Sequence, residues 1–194
     1  MFSKPVRMVT AIAVLANLFV CSLVAISLHA SYQQYNERAA ITSRNTNRLV
    51  AQTIEDEIRH IDFGLRAVAD EYARLRAAPR LNGDALTAFL RKQHERLPIS
   101  GGLRIADRNG LVVFGSDKEL PAGISITDRD YFTALRDNPA LDLAISRPVL
   151  GRISNQWVLI FARRLSAADG SFAGVVLAPV ATEWFERKFA KLEV

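Results

Sequence analysis

Arg129 and Tyr131 stand two positions apart in the run Asp128-Arg129-Asp130-Tyr131-Phe132, where a short helical pattern begins. A guanidinium can hold a carboxylate through two parallel charge-assisted hydrogen bonds, and a phenol adds a directional one. Residues i and i+2 diverge on a helix. The two side chains can therefore face one ligand only if the arginine precedes the first turn, in extended backbone, and the tyrosine lies just inside it. A helix N-terminus there would favour a carboxylate through its free N–H groups. The chemistry these residues could do is recognition of a small anionic or zwitterionic ligand, a carboxylic acid or an amino acid. Two plainer readings stay open: Arg129 bridging Asp128 or Asp130 on the surface, and Tyr131 with Phe132 packing in the core.

Catalytic chemistry has no comparable signal. His29, His60 and His94 are dispersed and lack metal-ligand spacing. There is no Walker loop, dinucleotide fingerprint or G-x-S-x-G elbow. Acidic pairs such as Asp128 and Asp130 are too common to mark acid–base catalysis. The one cysteine, Cys21, excludes an internal disulfide and a cysteine metal site. We expect no enzyme activity, no cofactor and no metal. The net charge of +5 is a mildly basic balance, and no run of Lys/Arg is interleaved with aromatics, so nucleic acid is not an expected partner.

The elements that must position Arg129 and Tyr131 begin with a membrane segment. Met8 to Leu28 carries no charged residue, close to the ~20 residues that span a bilayer as a helix. Lys4 and Arg7 precede it and no acid occurs before Glu37. The positive-inside tendency places the N-terminus in the cytoplasm and the rest of the chain outside. A cleaved signal peptide ending near Leu28-His29-Ala30 is the rival reading, but its apolar core is ordinarily about 7–15 residues.

From Ser31 to about Ala78 there is no Pro and one Gly, Gly64. Ile54, Ile58, Ile61, Leu65, Val68, Tyr72 and Leu75 recur at alternating spacings of 4 and 3, an apolar stripe on one helix face. Such a stripe serves equally as a face packed on the chain's own sheet or as a homodimer seam. We expect the former for its upper part. Pro79 and Asn82-Gly83 should end this helix, and Asp84 should cap a second one over Ala85 to Arg96.

Strand signals follow: Leu103 to Asp107, Leu111 to Ser116, Leu143 to Leu150, Gln156 to Leu165 and Ser171 to Pro179. Asn109-Gly110 and Asp169-Gly170 are hairpin signals, and sequential strands with short turns pair antiparallel. A helix starting at Thr127 or Asp128 interrupts the series, and Ala181 to Leu192 closes it as an amphipathic helix. The expected fold is α+β: an N-terminal transmembrane helix continuing into a long helix packed on a five-stranded antiparallel, PAS-like sheet. The long helix would cover one sheet face and the insertion between the second and third strands the other, leaving a pocket under the insertion. The expected organisation is 1–7 cytoplasmic, 8–29 transmembrane, 30–80 long signalling helix, 81–180 sensor module and 181–194 C-terminal helix.

In order and spacing, several motifs resemble the Cache (PDC) family of bacterial extracytoplasmic sensors. They are Asp107-Arg108-Asn109-Gly110, Asp128-Arg129-Asp130-Tyr131-Phe132, Ile145-Ser146-Arg147-Pro148-Val149, Trp157 to Arg164, and Asp169 to Val176. The family pattern often has Pro where this chain has Asp130. The resemblance implies a sensory input of the histidine kinase, diguanylate cyclase or chemoreceptor type, comprising the anchor and the first, membrane-distal module. It places Arg129 and Tyr131 at positions that reach the ligand, with Arg147 and Trp157 as candidates from the sheet side and Phe114 and Ser116 from the second strand. For Trp157 the rival reading is core packing. The implied partners are a small anionic or zwitterionic ligand, the inner membrane and, through the long helix, a homodimer. A membrane-tethered periplasmic binding protein without signalling output is the alternative.

Overall fold

The computed structural model describes residues 4–77 and 82–190; of the side chains before Arg48, it includes only those of 18–20, 22–24, 27 and 28, and it omits those of 189 and 190. The chain divides into two compact units, 1–51 and 52–194. The first contains the N-terminal part of helix α1 (Lys4–Arg76). Among the described residues no helix is long and apolar enough to cross a membrane; most side chains of the expected span 8–29 lie outside them. Pro79, the expected helix stop, and residues 191–194 of the expected final helix also lie outside the described residues.

The second unit holds the rest of α1 and then α2 (Gly83–Arg96), β1 (Arg104–Asp107), β2 (Val112–Gly115), α3 (Asp130–Asp137), β3 (Leu143–Ile145), β4 (Val149–Leu150), β5 (Trp157–Ser166), β6 (Phe172–Ala181) and α4 (Thr182–Ala190). The strands form one antiparallel sheet in the order β2-β1-β6-β5-β3, with β4 also pairing β5. Two expected helix starts are corrected. Asn82, not Asp84, caps α2, its side-chain oxygen accepting from the Ala85 N–H at 3.0 Å. Arg129, not Thr127 or Asp128, is the N-cap of α3.

Five strands were expected and six occur, because Ser146-Arg147-Pro148 splits the third into β3 and β4. Proline has no N–H to offer a ladder. Ile145 pairs with Phe161 and Val149 with Val158, so four steps on one side match three on the other. Ser146 fills the gap: its backbone N–H donates to the Ile160 carbonyl, and its hydroxyl oxygen accepts from the Ile160 N–H, both at 2.9 Å.

The hairpin between β1 and β2 turns on Gly110, whose φ of +76° only glycine adopts freely. The Asp107 carboxylate steadies it by accepting from the N–H groups of Asn109 and Leu111, each at 2.9 Å. Gly174 in β6 has φ +139°, and a Cβ there would lie 2.1 Å from the Ala106 carbonyl oxygen. Close pairing of β1 on β6 needs that missing side chain.

Alternation along the strands gives the sheet two apolar faces. On one, Ile61, Leu65, Val68, Tyr72 and Leu75 of α1 join Leu86 and Leu90 of α2 over Ile105, Phe161 and Val176. The upper stripe is thus a core face; Ile61, Leu65 and Val68 are fully buried. On the other, Tyr131, Phe132 and Leu135 of α3 cover Ala106, Val158, Ile160, Ala162, Val175 and Leu177. An ion pair ties the helical side to the sheet: Arg163 of β5, buried, meets Asp62 of α1 and, at 2.9 Å, Asp142.

Candidate ligand-binding site

A cavity of about 50 Å³ lies on the α3 side of the sheet, under the segment leading into α3 and the loop between β4 and β5. Val112, Ile126, Ile160 and Leu177 give it apolar walls, and three arginines line it: Arg104, Arg129 and Arg152.

Arg129 sits at the N-cap of α3 in extended backbone (φ −84°, ψ 134°), immediately before the first turn. Tyr131 follows inside that turn and is buried. This is the backbone geometry that lets residues two apart line one cavity. Arg129 Nη2 donates to the Leu150 carbonyl at 3.0 Å. The Tyr131 hydroxyl makes no hydrogen bond to another described residue. Burial pushes its pKa up to about 12, against the opposing pull of the Arg129 and Arg152 charges.

Arg104 rises from β1 and is almost wholly buried. Asp117 grips it at two points, accepting from Nε at 2.8 Å and from Nη2 at 2.7 Å, while the Gly101 carbonyl accepts from Nη2 at 3.0 Å. Arg152 reaches from the β4–β5 loop to the segment ahead of α3. Its Nη1 donates to the Ser125 carbonyl and its Nη2 to the Asp128 carboxylate, the latter at 2.6 Å. That hydrogen bond holds the Asp128 carboxyl below the usual carboxylate range. Arg129 and Arg152 therefore tie the end of β4 and the loop after it to the insertion beside the cavity.

The other candidate residues are placed elsewhere. Arg147 is 88% exposed, 3.6 Å from Asp130, and borders a shallow cleft with Arg129 outside the cavity. Trp157 is 59% exposed; it alternates with Val158, which faces α3, and so points to the opposite side. Phe114 pairs with Ile105 and packs on the helical side, its ring against Gly83. The Ser116 hydroxyl oxygen accepts from the Leu103 N–H at 2.9 Å, a bond internal to the β1–β2 pair of segments. Arg104 and Arg152 were not anticipated. A charged residue at an inward position of the apolar run Leu103-Arg104-Ile105-Ala106 is a signal that could have found Arg104. Arg152 looks in sequence like any loop arginine.

Neither a family model nor a curated protein matches this chain. Solved structures do. The extracellular domain assigned to a histidine kinase, rpHK1S-Z16, superposes with a TM-score of 0.68 at 29% identity, over 76% of this chain and 59% of that one. The sensory domain of the Campylobacter jejuni chemoreceptor Tlp3 with isoleucine bound gives 0.60 at 17% identity, over 72% of this chain and 58% of that one. The ligand-binding domain of the Pseudomonas aeruginosa amino acid chemoreceptor PctC in complex with GABA gives 0.58 at 14%, over 72% and 62%. This chain has the fold of the extracellular sensory domains of histidine kinases and chemoreceptors. That is the fold its Cache-like motifs imply. It spans less than two thirds of the length of these solved chains.

Proposed function

We propose that this chain is the ligand-sensing input of a bacterial signal-transduction protein, anchored in the inner membrane by residues 8–29 and exposing its sensor module outside the cytoplasm. The module binds a small carboxylate-bearing metabolite, an organic acid or an amino acid, chiefly through Arg129 and Tyr131. The observation that carries this reading is the joint placement of these two side chains, arginine in extended backbone and tyrosine inside the first turn, on one cavity. The orientation rests on Lys4 and Arg7 ahead of an uncharged span.

The cavity's size bears on signalling. At about 50 Å³ and partly open to solvent, the cavity is small, and a bound metabolite would press on its walls. The clasped β4–β5 loop is the part that can give. It connects directly into β5, which pairs along its length with β6, and β6 leads into α4. Ligand entry would thus be converted into a displacement of the strands that carry the C-terminal helix.

The reading is tested by a thermal-shift screen of organic and amino acids against the full chain in detergent, repeated with Arg129→Ala. A charge-assisted contact of this kind contributes on the order of 1.5–3 kcal/mol, so its loss should weaken binding roughly ten- to a hundredfold. A bound acid indifferent to Arg129 would place the site elsewhere.

A further inference from the structure

Which of the two ligand classes the site takes is decided by its charges. Three guanidinium groups line the cavity, and none of its described lining residues is an aspartate or glutamate. The carboxylates around those arginines have partners, Asp130 standing 3.6 Å from Arg147. Asp117 spends both oxygens on Arg104, and Asp128 accepts from Arg152 at 2.6 Å. Arg129, by contrast, is bonded only to a neutral carbonyl, and the Tyr131 hydroxyl is uncommitted. An incoming carboxylate meets a guanidinium that makes no direct ion pair, flanked by Asp128 and Asp130 in the cleft outside the cavity, and a phenol able to donate.

An α-ammonium would meet something different. In an α-amino acid it lies one carbon from the carboxylate, so seating the carboxylate on Arg129 brings the ammonium among the guanidinium groups. It would lose its hydration without gaining a counter-ion. The other walls are Val112, Ile126, Ile160 and Leu177, which suit a short aliphatic tail.

We infer that the site selects a small aliphatic carboxylate lacking an α-ammonium group, and rejects the corresponding amino acid. This inference rests on the reading of Arg129 and Tyr131 as the carboxylate-binding pair. It separates this chain from the Tlp3 domain, whose structure holds the α-amino acid isoleucine.

A matched set of probes tests it. Isovalerate is valine without the ammonium, and isobutylamine is valine without the carboxylate. Calorimetric titration of the full chain in detergent with each of the three should find isovalerate bound at least tenfold more tightly than L-valine, and isobutylamine not bound. Arg129→Gln should abolish the isovalerate heat. The melting temperature of this variant shows whether the module remains folded, and Tyr131→Phe, which keeps the buried ring, should weaken isovalerate several-fold in parallel. Valine binding as tightly as isovalerate or more tightly, with both dependent on Arg129, would overturn the inference and leave the carboxylate site standing. Isovalerate and valine both failing to bind at millimolar concentration, or binding regardless of Arg129, would overturn the carboxylate site and the inference with it.

Discussion

Arg152 and Asp128 join the β4–β5 loop to the segment ahead of α3 through a 2.6 Å ion pair. Both side chains are substantially exposed, at 37% and 60%, so the pair adds within about 1 kcal/mol to global stability. Its effect should be local. Arg152→Ala should leave the unfolding midpoint nearly unchanged and accelerate amide hydrogen exchange at Gly151 and Asn155, whose N–H groups close the loop's own turn. Unchanged exchange there would mean that the loop is held without the clasp. The depressed Asp128 pKa fixes the pH sign: a lowered carboxyl contributes above its unfolded value and loses that contribution as pH falls through the folded one. The clasp should accordingly persist through neutral and mildly acidic pH and fail only in stronger acid.

Tyr131 supplies a signal at the other end of the pH scale. Its phenol is pushed up to about 12 by burial, above an unfolded value of about 10. A raised pKa leaves stability intact below about 10 and erodes it as pH climbs toward about 12, because only the unfolded chain ionises there. Urea midpoints measured between pH 9 and pH 11.5 should fall, and Tyr131→Phe should flatten the upper part of that decline. An identical slope in the variant would show that Tyr131 ionises as freely in the fold as out of it.

The stripe on α1 is testable by charge. Ile61 is 1% exposed and faces the sheet-side core. Ile61→Asp buries an unpaired carboxylate, at a cost of several kcal/mol after relaxation. Chemical denaturation followed by circular dichroism should show a loss of that size, or no cooperative transition at all. A variant as stable as the parent would make the stripe a surface feature.

Gly174→Ala should be as severe for a backbone reason. Its φ of +139° is unfavourable for any L side chain, and the new Cβ would lie 2.1 Å from the Ala106 carbonyl oxygen, which cannot step aside without breaking the β1–β6 ladder. We expect about 3 kcal/mol or more of destabilisation, read as a lowered melting temperature. Gly123→Ala makes a control for the clash: its φ is also positive, +76°, but nothing lies within 4 Å of the added carbon.

How far these features could be read beforehand depended on what sets each one. The α1 stripe and the β5 and β6 strands were legible because burial on a regular element stamps a period on the sequence. The backbone at Arg129 and Tyr131, extended and then helical, was legible because only that arrangement lets residues two apart line one cavity. The β3–β4 break escaped because Ile145 and Val149 flank it with strand-like residues; only Pro148 hints at it, and a proline alone does not say that a serine will repair the ladder. Phe114 and Trp157 were assigned to the cavity from their strands alone. A face is fixed by register, and register depends on a bulge at Ile105/Ala106 and on where β4 resumes. Arg152 escaped because its role belongs to a loop, where no periodicity exists to mark it.

The interruption at Ser146-Arg147-Pro148 also bears on how copies of this chain can share a crowded compartment. Strands at the margin of a sheet offer unpaired N–H and C=O groups on which another chain can build a ladder, the first step toward fibrous aggregates. Here that margin is broken into three residues and two by a proline and a bulge, and Ser146 turns its own groups inward to Ile160. The opposite margin, β2, is four residues long and starts beside a bulge of its own. The irregularity that splits β3 from β4 therefore acts as a guard against intermolecular strand addition.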